Sequence, residues 1–273
     1  MPRLPRPPWA DRGPLAGRRS ILSPFDDISI LELLLIAATG TATSLLGGVT
    51  GYGTGALMPL VLVPILGPEP VVPIIAISGT LTNMSRALAF RAAIDWRRVL
   101  IVVLAATPTS ILGAFAYTLL SGPGAMLLIG SMLVAVVALR RLIGHHRLRC
   151  SDRGLGVGAF FWGLVVGGTA GAGVIIMSLL MAAGLAGASV IATDAALSIV
   201  IGLARLAVFG LAGALTAKVI AVAILIGVVT FPGAFLARLV LARLPLHIHT
   251  ALLEAVVVIG GLVMIAGAAG KMG

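Results

Sequence analysis

After residue 27 the chain is a succession of apolar runs, separated by short polar or Gly/Pro punctuation. Residues 28–46, 71–90, 99–120, 124–143, 188–210, 216–240 and 246–269 are each long enough, as helices rising ~1.5 Å per residue, to cross most or all of a ~30 Å hydrocarbon core. Two runs are shorter. Residues 56–66, with Pro59 and Pro64, and residues 174–185 each suit half of a broken or re-entrant helix. Gly67-Pro68-Glu69-Pro70 and Ser121-Gly122-Pro123 read as turns. The pattern predicts an all-α integral membrane protein.

Each short run follows a glycine-rich stretch. Gly47-Gly48-Val49-Thr50-Gly51-Tyr52-Gly53-Thr54-Gly55 precedes the first, and Gly167-Gly168-Thr169-Ala170-Gly171-Ala172-Gly173 precedes the second, after residues 155–168. Each glycine costs a helix roughly 1 kcal/mol against alanine, so both stretches predict helix breaks. Small residues also let helices pack closely, and Gly51 and Gly55 have that spacing. Packing alone does not ask for five glycines with Thr50, Tyr52 and Thr54 between them. Paired Gly-interrupted segments in two halves of a membrane chain point to a transport site.

Landmarks recur at nearly constant offset: Gly53 to Gly173 and Gly113 to Gly233 are 120 residues apart, and Arg86 to Arg205 are 119. This predicts two tandem repeats of four to five membrane segments each, with a Gly-rich broken or re-entrant helix in each repeat. The expected organisation is a flexible basic tail (1–27), a first membrane repeat (28–143), a basic cytoplasmic linker (144–153) and a second membrane repeat (154–273). Two topologies compete. Eight crossings with parallel halves keep the basic tail inside, and charge placement favours that arrangement. Ten crossings make the halves inverted, as in many transporters, and put the tail outside.

Composition agrees with the pattern: 59% of residues are hydrophobic, 10% are charged, and mean hydropathy is +1.16. The net charge of +10 is concentrated in the tail (Arg3, Arg6, Arg12, Arg18, Arg19) and the linker (Arg140, Arg141, Arg147, Arg149, Arg153), where it sets topology. No aromatic-interleaved basic surface accompanies it, so nucleic acid is not an expected partner; the lipid bilayer is. The single Cys150 excludes an internal disulfide and reads as an inert thiol in a loop. No cleavable signal peptide is evident.

No Walker A or HExxH sequence is present, and the glycine stretches follow no strand, so neither nucleotide nor zinc-hydrolase chemistry is predicted. His145, His146, His247 and His249 fall in the linker or at a span start, which suits solvation better than metal binding. No catalytic residues, metal or cofactor are expected. Charges at membrane depth are costly and therefore informative. Arg86 and Arg205 are the candidate cationic ligands for a small anion, because guanidinium forks match carboxylate, sulfonate and phosphate. The rival reading has each snorkel to the interface. Backbone donors would come from Gly47, Gly48, Gly51, Gly53, Gly167, Gly168 and Gly171, since half-helix N-termini attract anions. Asn83, Thr50, Tyr52 and Thr169 would orient the substrate. Asp194 and Glu32 are candidates for ion or proton coupling; Glu254 is the third acid near a span.

One order of features resembles a known family. A Gly-rich stretch, the short segment Leu60-Val61-Leu62-Val63-Pro64, a polar helix ending in arginine, and Ile94-Asp95-Trp96 are together similar to the TauE/SafE (DUF81) permeases, over roughly residues 28–270. Two departures concern the substrate more than the family. Val49, Thr50 and Tyr52 interrupt the first glycine run, and Ala214 and Leu215 stand near where a second Asp-Trp would lie. The resemblance implies a multi-pass protein of the bacterial inner membrane that moves small anions of sulfur metabolism, such as sulfite, sulfoacetate or other organosulfonates, without a cofactor. The expectation is a secondary transporter, in the export direction, with alternating access at the repeat interface. An anion channel, a permease for another small carboxylate or metabolite anion, and a non-transport membrane subunit are the alternatives. Oligomeric state, a homodimer among the options, stays open.

Overall fold

The computed structural model describes residues 24–50, 53–145, 149–240 and 246–272, with the side chains of 45–50, 53–54, 140–145, 234, 236–240, 246–253 and 271–272 outside the description. Most of the basic tail therefore lies outside the described residues. Among the described residues ten α-helices follow one another: α1 (Ile30–Thr50), α2 (Gly53–Leu66), α3 (Val71–Ala89), α4 (Trp96–Thr118), α5 (Gly122–His145), α6 (Asp152–Gly168), α7 (Gly173–Ala182), α8 (Ala188–Leu211), α9 (Ala217–Val240) and α10 (Leu246–Met272). A single 3-10 turn, Arg91–Ala93, joins α3 to α4, and no strand occurs among the described residues. Within the described residues, Val71–Ala89, Trp96–Thr118, Gly122–Leu139 and Ala188–Leu211 are long and apolar enough to cross a membrane. Large apolar side chains on the outside, such as Leu104, Leu112, Phe115 and Phe161, are more than half exposed, as a lipid-facing surface requires.

The first glycine stretch differs from expectation. α1 continues through Gly47 and Gly48 to Thr50, and α2 resumes at Gly53. An unmade backbone hydrogen bond in lipid costs several kcal/mol, more than the roughly 1 kcal/mol helix penalty of a glycine. The second stretch behaves as expected, with the chain leaving helix after Gly168 and resuming at Gly173.

Helix directions follow from contacts along their lengths. α1 and α9 run parallel: Asp27 pairs with Lys218 at 2.7 Å beside their starts, Gly40 faces Val229, and Ser44 Oγ donates to Thr230 O at 2.6 Å. The Lys218 ammonium, through its hydrogen bond and then its charge, holds Asp27 below the usual carboxylate range. α4 and α6 are also parallel: Arg97 pairs with Asp152 at 2.6 Å, and further along Gly113 backs onto Leu164 and Gly167. α3 and α8 are antiparallel, with Gly202 against Thr80 and Asp194 near Arg86. α5 and α10 are antiparallel, with Gly130 on Gly261 and Met126 on Gly267. α7 folds back along α6 until Ala182 O accepts from Cys150 N at 2.9 Å. α3 lies parallel to α9 (Leu81 against Gly227, Ser85 Oγ donating to Phe231 O) and the starts of α4 and α8 meet (Asp95 N to Thr193 Oγ1), so together these contacts make α1 and α6 run in opposite directions. The parallel halves that charge placement favoured are not what the helix directions give.

One face of the bundle gathers the starts of α4, α6 and α8. There Asp95 caps α4 through Arg98 N and pairs with the Arg98 guanidinium, which also donates to Ala183 O at 2.8 Å, while Asp95 N donates to Thr193 Oγ1 at 3.0 Å. Cys150 sits beside this cluster. Burial raises its thiol pKa and Asp152 adds to that, against a smaller pull from Arg98.

Gly113, Gly163 and Gly167 let α4 and α6 touch backbone to backbone: a Cβ on Gly167 would strike Ser110 O, Ala114 N and Gly113 Cα. Gly167→Ala should therefore destabilise the protein by about 1–3 kcal/mol, as overpacking does. Gly270→Ala, which meets open space, should be neutral or slightly stabilising. Thermal melts in detergent check the pair.

Candidate functional site

The second break is held by its own neighbours. Thr169 leaves helix in an extended conformation (φ −134, ψ 176), and its Oγ1 donates to Val165 O at 2.7 Å, serving a carbonyl the helix end would leave open. Gly171 takes φ +86, a left-handed turn that glycine adopts without penalty. Trp162, one and a half turns back on α6, donates its indole Nε1–H to Ala172 O at 2.9 Å and pins the far side of the break. The first hairpin, α1–α2, meets this turn at its tip: a Cβ on Gly55 would lie 3.1 Å from Gly171 N, so the backbones approach closely.

Beside the tip, α3 and α8 enclose a cavity of about 120 Å³, open enough for a small polyatomic ion. Its α3 wall carries Thr80, Thr82, Asn83 and Arg86, its α8 wall Asp194, Ser198 and Arg205, and its floor Thr169 to Gly173 with Trp162. The hydroxyls of Thr80 and Thr82 donate to Ala76 O and Ser78 O within α3, so they are already satisfied. Three charges line the cavity among the described residues: Arg86, Asp194 and Arg205.

They are not equivalent. Arg86 and Asp194 line one end, with no ion pair or hydrogen bond between them, and there Ser198 Oγ donates to Asp194 Oδ1 at 3.4 Å. Arg205 lies at the other end and is only 7% exposed. Its Nη2 donates to Thr169 O at 3.2 Å, its guanidinium carbon is 6.0 Å from the Phe209 ring centre, and its Nε has no hydrogen-bond partner among the described residues. Phe209 stacks edge-on with Tyr117 at 6.1 Å, and the Tyr117 hydroxyl donates to Pro68 O at 2.8 Å, closing the bundle behind Arg205. A buried guanidinium with no carboxylate is costly unless something anionic visits it.

Residues 36–264 match the family described as Sulfite exporter TauE/SafE. The chain belongs to the TauE/SafE family. Membership makes it a multi-pass membrane protein of a transporter family for sulfite-type anions. No curated protein and no solved structure matches the chain.

In this TauE/SafE protein the cavity brings together Asn83, Arg86, Thr169, Gly171, Asp194 and Arg205 of the residues singled out by sequence. It does not include Gly167 and Gly168, which face α4: a Cβ on Gly168 would meet Gly113 O at 2.8 Å. Gly47, Gly48 and Thr50 belong to the end of α1 and Gly53 opens α2; Gly51 and Tyr52 lie outside the described residues. Glu32 is not among the residues that line the cavity. Its carboxylate accepts from Ser29 N at 2.8 Å while Ser29 Oγ accepts from Glu32 N at 3.2 Å, a capping box at the start of α1. Sequence reasoning gave no site role to Thr80, Trp162, Ser198 or the Phe209–Tyr117 pair. Ser198 was findable, four residues after Asp194 on the same helix face. Trp162 was findable too, since a tryptophan inside an apolar span needs an acceptor for its N–H.

Trp162→Phe removes the donor to Ala172 O and leaves that buried carbonyl open. It should cost about 1–3 kcal/mol, read as a lower melting temperature in detergent. An unchanged melt would mean that the indole does not hold the break.

Proposed function

We propose that the protein is a secondary transporter that exports small sulfur-containing anions, such as sulfite, sulfoacetate or other organosulfonates, by alternating access of this one cavity. The observation that carries the reading is Arg205: buried, charged, short of a partner at Nε, and facing the turn from which α7 starts. The first N–H groups of α7 add the positive end of a helix dipole to that guanidinium. Asn83 and Arg86 would bind the anion's far side, and Asp194 is the coupling group; the engagement of Glu32 in a cap removes it from that role.

Alternating access rests on a second part of the reading, an inverted duplication of residues 28–143 and 154–273 with five helices each. Three facts support it. Contacts pair off under exchange of the halves: α1 with α9 as α6 with α4, α3 with α9 as α8 with α4, and α2 with α10 as α7 with α5. The contact of Gly233 with Ser44 repeats that of Gly113 with Leu164 at an offset of 120. Each matched pair α1/α6, α3/α8 and α5/α10 runs in opposite directions, as an inverted repeat requires. The face bearing Arg91, Arg97, Arg98, Arg149 and Arg153 is then cytoplasmic, and the N-terminal tail is outside despite its arginines. The cavity lies between α3 of one half and α8 of the other, where rocking of the halves exposes it to either side.

Reconstituted in liposomes, the protein should exchange internal for external sulfite with saturating kinetics, whereas a channel would not saturate. Arg205→Gln should lower that exchange at least about tenfold, the effect of losing one charge-assisted contact. Undiminished exchange in this variant would refute the site.

A further inference from the structure

Gly79 stands in the cavity wall with no packing reason to be glycine. It is the ninth residue of α3, well inside the helix, where glycine is a poor helix former. Elsewhere in the bundle glycines let helices touch: a Cβ on Gly202 would strike Thr80 Oγ1, and one on Gly167 would strike Ser110 O. A Cβ on Gly79 would meet nothing within 4 Å. That open space is the cavity. Ala76, Gly79, Asn83 and Arg86 recur at intervals of three and four, so they share one helix face, and all four line the cavity. The contact of Gly202 with Thr80 marks where α3 and α8 cross, and Gly79 and Ile201 sit one residue before it on their own helices. Because the helices are antiparallel, Arg86 lies to one side of that level and Arg205 to the other, roughly 10 Å and 6 Å along the axes at ~1.5 Å per residue. At the 119-residue offset that carries Arg86 onto Arg205, Gly79 corresponds to Ser198. One half of the chain puts a hydroxyl in the cavity wall where the other leaves room.

Resting on the anion-site reading above, we propose that Gly79 is the specificity-determining residue for the organic part of the substrate: the space over it takes the short carbon chain of an alkyl sulfonate whose head sits on Arg205. The cavity, at about 120 Å³, is several-fold larger than the ~10–15 Å³ that a single water needs. Its walls beside Gly79 match a carbon chain. Ile75, Ala76 and Ile201 are apolar and no more than 7% exposed. The hydroxyls of Thr80 and Thr82 are turned to carbonyls of their own helix, so they offer that space no competing donor. Methylene groups laid against such a wall leave water, which favours binding. One turn further from Arg205, Asn83 is placed to donate to a carboxylate or hydroxyl at the far end of the chain. Sulfite is all head and engages the Arg205 end alone; an organosulfonate uses the length of the cavity. A side chain at position 79 would stand where the carbon chain lies, so the residue that sets substrate size is one without a side chain.

Exchange of sulfite, isethionate and sulfoacetate by the purified full-length protein in liposomes makes the test, with each organosulfonate rate referred to that of sulfite in the same variant. Gly79→Val should lower both organosulfonate-to-sulfite ratios about tenfold or more, the effect of a misplaced methylene in a fitted pocket. Gly79→Ala, which favours the helix, should melt no lower than the wild type and lower the ratios by a smaller factor. A parallel fall for all three anions in Gly79→Ala would mean that the glycine serves the backbone, and overturns the inference. Unchanged ratios in both variants, or a wild type that exchanges sulfite but neither organosulfonate, overturn it as well while leaving the anion site in place. A wild type that exchanges none of the three removes the anion-site reading and this inference with it. If Gly79→Val does not fold, Gly79→Ala decides on its own.

Discussion

The structure depends on how a broken backbone is kept satisfied inside an apolar medium. A helix hides its own polar groups; a turn at membrane depth does not, and lipid has nothing to offer it. The turn between α6 and α7 solves this locally. Thr169 serves the carbonyl of Val165, Trp162 serves that of Ala172, and Arg205 serves that of Thr169. The hairpin of α1 and α2 covers the tip from the other side, close enough that a Cβ on Gly55 would crowd Gly171 N at 3.1 Å. Around this core α3 and α8 close the remaining flank with hydroxyls that bond back to their own helix, as Ser78, Thr80 and Thr82 do. What stays available in the cavity is therefore short: one amide, three charges and the backbone of the turn.

This economy leaves the cavity polar at its ends and apolar between them. Ile75, Ala76, Val166 and Ile201 supply apolar wall between the charged ends. In such surroundings a charge interacts more strongly than it would in water. Arg86 and Arg205 occupy comparable places on α3 and α8, and both line the cavity together with Asp194.

The helices were legible in the sequence because the bilayer dictates their length; the spans from α3 to α10 fall within a few residues of the apolar runs. The pairing of Arg86 with Arg205, and the gathering of Asn83, Thr169, Gly171 and Asp194 near them, were legible because charge at depth is rare. Less could be read where one residue type serves two ends. Gly167 and Gly171 belong to a single motif, yet helical periodicity turns the first onto α4 and the left-handed turn carries the second into the cavity. Glycine content overstated the first break, since Gly47 and Gly48 remain helical. Helix direction was hidden for a different reason. It is fixed by partners far apart in sequence, such as Ser44 with Thr230, while the arginines of the tail argue the other way.

That distant pairing also orders the making of the protein. α1 emerges first, but the helix that accepts its Ser44 hydroxyl is α9, with 186 residues between the bonded pair. At about 5–20 residues per second of synthesis, α1 waits roughly 10–40 s in the bilayer with only α2 beside it. Its apolar outer face (Leu31, Leu34, Leu35) suits it to that interval, and the buried seam of Thr43 and Ser44 is sealed only when the second half arrives. The first hairpin is therefore finished last: a chain truncated before α9 would leave the earliest helix of the protein without its mate.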